Sequence, residues 1–175
     1  MQYHLIVNAL GKYTPHLANQ FTHAVKEAGC SILDSRMSVL GNELSILMLL
    51  SGTWDAVAKM ENHLPKLQKQ LDITIIAKRT ELSDKKDALM PYAIDIVAYD
   101  QSGIVHEIIK FMDENNIDIQ EMFSNTYKAV NTGTSMFSLH MCINVPADIS
   151  IASLRGDFIE LCDQKNFDAI MEPIK

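Results

Sequence analysis

The sequence predicts an α+β protein built of two tandem βαββαβ domains, and three observations lead there. An apolar strand, a short turn and the start of an amphipathic helix occur twice, at residues 5–17 and again at 92–104. The two copies stay in step without a gap: superposing His16 on Gly103 carries Leu17 onto Ile104, Phe21 onto Ile108, Ile32 onto Ile119 and Asp34 onto Glu121. A repeat far longer than the roughly 20 to 50 residues of solenoid units is a duplicated domain, so each copy must bury a core of its own. Residues 80–91 (TELSDKKDALMP) are charged, non-periodic and end in proline, which marks a linker between a first domain at 1–79 and a second at 92–175.

Residues 3–10 read as a central strand, because Leu5, Val7 and Ala9 lie on one side while Ile6 and Leu10 lie on the other. Thr14 suits an N-cap and Pro15 the first helical position, where a missing N–H costs nothing. Leu17, Phe21, Ala24, Val25 and Ala28 mark the buried stripe of a helix that Gly29 stops. Residues 31–40 alternate, with Leu33, Ser35, Met37 and Val39 facing one way and Asp34, Arg36 and Ser38 the other; Gly41-Asn42 makes the hairpin turn. The return strand at 43–51 is a nearly unbroken apolar run, as expected for a strand covered on both faces. Its own helices can cover one face, and the sister domain or another chain is the natural cover for the other. A helix from Trp54, with Trp54 as a core anchor and a bend near Pro65, buries Val57, Met60, Leu64 and Leu67, and 72–79 is a final strand.

The second copy repeats the order. A strand at 92–99 leads to a helix with Ile104, Val105, Ile108 and Met112 that ends near Asn115-Asn116. A strand at 117–127, a turn at Asn131-Thr132-Gly133 and a strand at 136–144 follow. A helix with Ile151, Leu154, Phe158 and Leu161 inward and a short strand at 167–171 complete it. Each domain is therefore ferredoxin-like, with two helical crossovers and a central hairpin.

Composition narrows the function classes. Hydrophobic residues make up 47% and mean hydropathy is +0.02, as in soluble globular proteins. No apolar run approaches the roughly 18 residues of a membrane span, and residues 1–4 lack the basic start of a signal peptide, so a cytoplasmic protein is expected. Cys30, Cys142 and Cys162 are an odd number without C-x-x-C spacing and read as ordinary buried thiols. The six histidines form no H-x-x-x-H pattern, so no metal site is expected. The net charge of −7 is uneven: residues 1–79 carry eight Lys/Arg against six Asp/Glu, and residues 92–175 carry five against thirteen. The acidic second domain would be repelled by phosphate backbones; it suits a solvated surface or a docking face for a basic protein.

The fold alone leaves RNA binders, small phosphatases, metal chaperones and amino-acid sensors open. An RNA-recognition module needs aromatic platforms on its third strand; 43–51 has none and 136–144 has only Phe137. There is no G-x-S-x-G and no Walker loop. Asp34 and Arg36 share one strand face, but a surface ion pair accounts for such spacing. No catalytic residue, cofactor, membrane contact or direct nucleic-acid contact is assigned.

The tandem βαββαβ arrangement with its strand–turn–helix signature resembles a pair of ACT domains, regulatory modules that bind amino acids at interfaces between domains. More closely, Gly29-Cys30-Ser31-Ile32-Leu33-Asp34-Ser35-Arg36 and Met48-Leu49-Leu50-Ser51-Gly52-Thr53-Trp54 resemble segments of the glycine cleavage system transcriptional repressor family. That similarity covers nearly the whole chain and is sharp in the first domain. It implies a regulator without a DNA-binding motif, which contacts the transcriptional activator of the glycine cleavage operon and responds to glycine or a similarly small amino acid. A homo-oligomer is expected. The other reading is an ACT-type allosteric or oligomerisation adaptor that controls an enzyme and has no working amino-acid site.

The resemblance also implies where a ligand would sit. The ACT pattern places an acidic residue, then a proline or similar, then glycine before the helix. The second copy keeps it as Asp100-Gln101-Ser102-Gly103-Ile104, whereas the first copy has Tyr13 at the acidic position and His16 at the glycine position, with Thr14 and Leu17 completing the turn. A helix N-terminus offers N–H groups with no intrahelical partner to a carboxylate, and glycine lets the backbone approach. Asn8 and Asp95 align on the strands leading to the two turns, so an interface or ligand role is expected of them as well.

Overall fold

A computed structural model describes residues 1–82 and 89–174. The first domain runs β1 (Tyr3–Lys12), α1 (Leu17–Ala28), β2 (Ser31–Leu40), β3 (Glu43–Gly52), α2 (Trp54–Leu71) and β4 (Ile73–Thr80). The second runs β5 (Leu89–Tyr99), α3 (Ile104–Glu114), β6 (Asp118–Lys128), β7 (Ser135–Pro146), α4 (Ile151–Lys165) and β8 (Asp168–Pro173). Contacts divide the chain into two compact units, 1–84 and 85–175. Of the expected linker, Thr80 ends β4 and residues 89–91 already belong to β5; residues 83–88 lie outside the described residues.

Each unit is a four-stranded sheet, ordered β2-β3-β1-β4 and β6-β7-β5-β8, with antiparallel neighbours throughout. These are two tandem ferredoxin-like βαββαβ folds. Alternation along a strand sends every second side chain to the helix layer. Leu5, Val7 and Ala9 of β1 and Leu44, Ile46, Met48 and Leu50 of β3 therefore meet Phe21, Val25, Val57 and Met60. In the second unit Ile94, Ile96, Ala98, Leu139, Met141 and Ile143 meet Ile108, Met112, Leu154 and Phe158. Fully burying each of the larger of these side chains contributes about 1.5–3 kcal/mol, which these small cores need.

Local chemistry explains the helix boundaries. The stripe Leu17, Phe21, Ala24, Val25 and Ala28 is the buried face of α1, and Gly29 ends the helix at φ 82°. Thr53 Oγ1 caps α2 by accepting from the Ala56 amide at 3.2 Å, and Ser150 Oγ caps α4 by accepting from Ser153 at 3.4 Å.

Several expectations change. His16, not Thr14, is the N-cap of α1, and Pro15 precedes the helix instead of opening it. Trp54 heads α2 but is 55% exposed, outside the buried set Val57, Met60, Leu64 and Leu67. Cys162, four residues after Phe158, fills the core in place of Leu161. A bulge between Ile32 and Asp34 sets Leu33 out of register, so Ile32, Ser35, Met37 and Val39 pair with the inward residues of β3. On the outer face of β3, Leu47 is 42% exposed, since the helices of its own domain cover only the opposite face. Among the described residues, no helix is long and apolar enough to cross a membrane.

Candidate functional site

Each sheet sends its central strand into a turn that opens the first helix of its domain, and these two turns contain most of the residues singled out in the sequence. The start of each turn is pinned to a hairpin. The Tyr13 amide donates to the Asn42 carbonyl at 2.8 Å, and the Asp100 amide donates to the Ser135 carbonyl at 3.0 Å. Ser135 Oγ also lies 3.5 Å from the Asp100 carboxylate.

Beyond that point the turns differ. In the first domain His16 sits at φ −101°, and the Leu17 amide donates to the Thr14 carbonyl at 3.2 Å, so the chain itself uses one helix-start donor. In the second, Gly103 takes φ 92°, a left-handed conformation that side chains disfavour. A Cβ built there would meet no heavy atom within 4 Å. Neither α1 nor α3 has a side-chain hydrogen bond at its N-cap, in contrast to α2 and α4. The start of α3 thus has no side-chain cap and open space where a Gly103 Cβ would stand, three residues after Asp100. That geometry offers donors to an anion and an acceptor to a cation.

Not all of the predicted residues gather there. Tyr13, Thr14, His16, Asp100, Gln101, Ser102 and Gly103 are exposed in the turns. Leu17 and Ile104 are core residues, 3% and 2% exposed, so only their backbone could face a ligand. Asn8 and Asp95 lie on the outer sheet faces, five residues before Tyr13 and Asp100; at about 3.3 Å per residue that is roughly 16 Å along the strand. Asp95 is engaged with a neighbouring strand, its Oδ1 lying 2.7 Å from His140 Nδ1. Asp34 and Arg36 do form an ion pair, with both side chains more than half exposed.

Two features were not singled out in the sequence. A groove of about 630 Å³ between α1 and α2 is lined by His23, Glu27, Lys59 and His63, and it includes none of the turn residues named above. His140 and Cys142 share the outer face of β7 with Asp95 of β5 opposite. The i, i+2 spacing of His140 and Cys142 was a legible signal, but the strand pairing that adds Asp95 was not. The cysteines are not all buried: Cys162 is, whereas Cys30 and Cys142 are half-buried. Burial pushes the Cys30 thiol up, and burial followed by the Asp163 charge pushes Cys162 to about 11. Among the described residues no group of three or more His, Cys, Asp or Glu is placed to hold a metal ion.

Comparison with known proteins adds to this geometry. Residues 3–78 match the model of the ACT domain family. The chain is 30% identical to the glycine cleavage system transcriptional repressor of Escherichia coli K12 over 165 residues, covering 94% of this chain and 87% of that protein. A crystal structure provisionally assigned as a glycine cleavage system transcriptional repressor superposes with a TM-score of 0.75 at 25% identity, covering 100% of this chain and 99% of the other. A crystal structure of an unknown protein from Galdieria sulphuraria superposes at 0.81 with 18% identity over the full length of both, a likeness of fold.

Proposed function

Because this chain belongs to the glycine cleavage system transcriptional repressor family, we propose that it is a cytoplasmic, amino-acid-responsive repressor that contacts a transcriptional activator and not DNA. Glycine or a similarly small amino acid is its signal. One observation carries the ligand half of this reading: the α3 start, where Gly103 stands at φ 92° with open space at its Cβ position and the helix has no side-chain cap. A ligand carboxylate accepts from the amides that open α3 while its ammonium donates to Asp100. Asn8 and Asp95 fall outside this site, as does the first turn, where Thr14 already takes the Leu17 amide. The charge balance supports the absence of direct DNA contact, since the second domain carries an excess of acid.

For the signal to switch repression, the ligand must bind the released form more tightly than the activator-bound form; affinity without that difference shifts nothing. Calorimetric titration with glycine, serine and alanine tests the site. Ligand at 100 times its dissociation constant raises stability by about 2.7 kcal/mol, visible as a higher Tm. Saturable glycine binding that is lost in Asp100→Asn supports the reading, and the absence of any amino-acid binding overturns it. A second reading, a regulatory or oligomerisation adaptor without a ligand site, is favoured by the exposed apolar face of the first sheet, where Ile6, Leu10, Leu47 and Ile76 stand together. Affinity capture separates the two: recovery of a transcriptional activator supports repression by contact, whereas recovery of an enzyme or of the chain itself supports the adaptor.

A further inference from the structure

On the outer face of the second sheet, three side chains from two strands form a line. Asp95 on β5 stands opposite His140 on β7, with Oδ1 2.7 Å from Nδ1. Cys142, two residues along β7 and hence on the same face, places Sγ 3.6 Å from His140 Nε2. The order is carboxylate, imidazole, thiol. With Asp95 accepting from Nδ1–H, the lone pair of the imidazole lies on Nε2 and faces the thiol. Nucleophile, base and orienting acid thus have the mutual arrangement that activated nucleophiles share.

We propose that Cys142 is a base-assisted thiol that exchanges with low-molecular-weight disulfides such as glutathione disulfide, forming a mixed disulfide on this sheet face. As Sγ attacks one sulfur of the disulfide, Nε2 takes the thiol proton, a new S–S bond forms and the old one breaks. The departing thiolate then takes the proton from Nε2–H. Cys142 is oxidised to the disulfide level, one half of the incoming disulfide is reduced to a thiol, and no other reactant is needed.

The strand setting selects this chemistry over acyl transfer. Acyl transfer needs free N–H donors for an oxyanion, but β7 is a central strand and Cys142 is paired with Ala93 on one side and Glu121 on the other, so the surrounding amides serve the ladders. Thiol–disulfide exchange develops no oxyanion. The site is open to a small reactant, with the His140 and Asp95 side chains 44% and 61% exposed. The other two cysteines provide internal controls, because burial keeps the Cys30 and Cys162 thiols protonated. A charged adduct on Cys142 would stand on the face that also carries Phe123, Val97 and Ile170, and would change what the face can contact.

The test is incubation of the full chain with glutathione disulfide, with adduct formation timed by intact-mass spectrometry and located by peptide mapping without reduction. The expected first adduct is on Cys142, about 100-fold faster than at the same cysteine in the urea-unfolded chain, the lower range of base assistance. His140→Gln and Asp95→Asn, checked for fold by circular dichroism, slow it toward the unfolded rate, and Cys142→Ser removes it. First reaction at Cys30 or Cys162 overturns the proposal, as does a folded-state rate at Cys142 no greater than the unfolded rate. If His140→Gln does not fold, an unchanged rate in the exposed Asp95→Asn variant overturns it equally.

Discussion

Tyr13 and Asp100 hold the same place in the two domains, and each gives its amide to a hairpin carbonyl. Three residues later the domains part. His16 keeps a negative φ, with the Leu17 amide donating to the Thr14 carbonyl, whereas Gly103 swings to φ 92° with open space where a Cβ would stand. The contrast teaches that a shared fold places two matching turns and that single residues within them set different backbone conformations. Four experiments break or sharpen that comparison.

The largest effects should fall on what the domains share. Phe21 and Phe158 occupy the helix side of their respective cores with 0% exposure. Phe21→Ala and Phe158→Ala are each expected to cost about 3–5 kcal/mol in chemical denaturation, because a cavity remains where the ring was. A cost below about 1 kcal/mol in either would show that its core does not depend on that ring.

The next pair separates the turns. Gly103→Ala meets no steric obstacle but carries a side chain into a left-handed conformation, so it should cost about 1–2 kcal/mol and weaken glycine binding in titration. His16→Gly adds freedom to an ordinary backbone conformation, costing at most about 1 kcal/mol, and leaves the number of glycine sites unchanged. A second glycine site in that variant would mean that His16 alone blocks the first turn.

Capping variants follow. Thr53→Ala and Ser150→Ala each remove a side-chain acceptor and should lose about 1 kcal/mol in denaturation. Thr14→Ala should lose less than either, because the bond to Leu17 uses the Thr14 carbonyl, which alanine keeps.

The smallest effect concerns an ion pair of the first domain. Arg79 donates to both carboxylate oxygens of Glu61, at 3.0 and 2.7 Å, and this bonding holds the Glu61 carboxyl below its ordinary range against a smaller opposing effect of burial. A lowered folded-state value contributes stability that is fully present above the unfolded carboxyl value of about 4.3 and is lost as pH falls through the lower folded one. Both side chains are over a third exposed, so solvent screening keeps the contribution small. Glu61→Gln should flatten the acid limb of the first domain's stability, measured as denaturation midpoints across a pH series.

Much of this molecule is written in local patterns. The stripe of α1 matches its buried face residue for residue, and Gly29 stops the helix where a left-handed residue is needed, because period and capping depend on neighbours a few positions apart. The duplicated turns were legible for the same reason. Trp54 was not: its place at a helix start was clear, but whether a neighbour covers it depends on a distant part of the chain. The bulge at Leu33 also escaped, since a one-residue slip is defined only against the paired strand.

Sequence alone determined the two βαββαβ units, the stripe of α1 and the difference between His16 and Gly103, all of which rest on spacing and on the intrinsic conformational range of single residues. Only tertiary structure decided that Thr14 closes the first turn with its carbonyl, that Asp95 belongs with His140 and not with Asp100, and that Cys142 stands beside an imidazole. These contacts arise from strand register and chain closure, which bring together atoms whose separation along the sequence gives no measure of their distance in space.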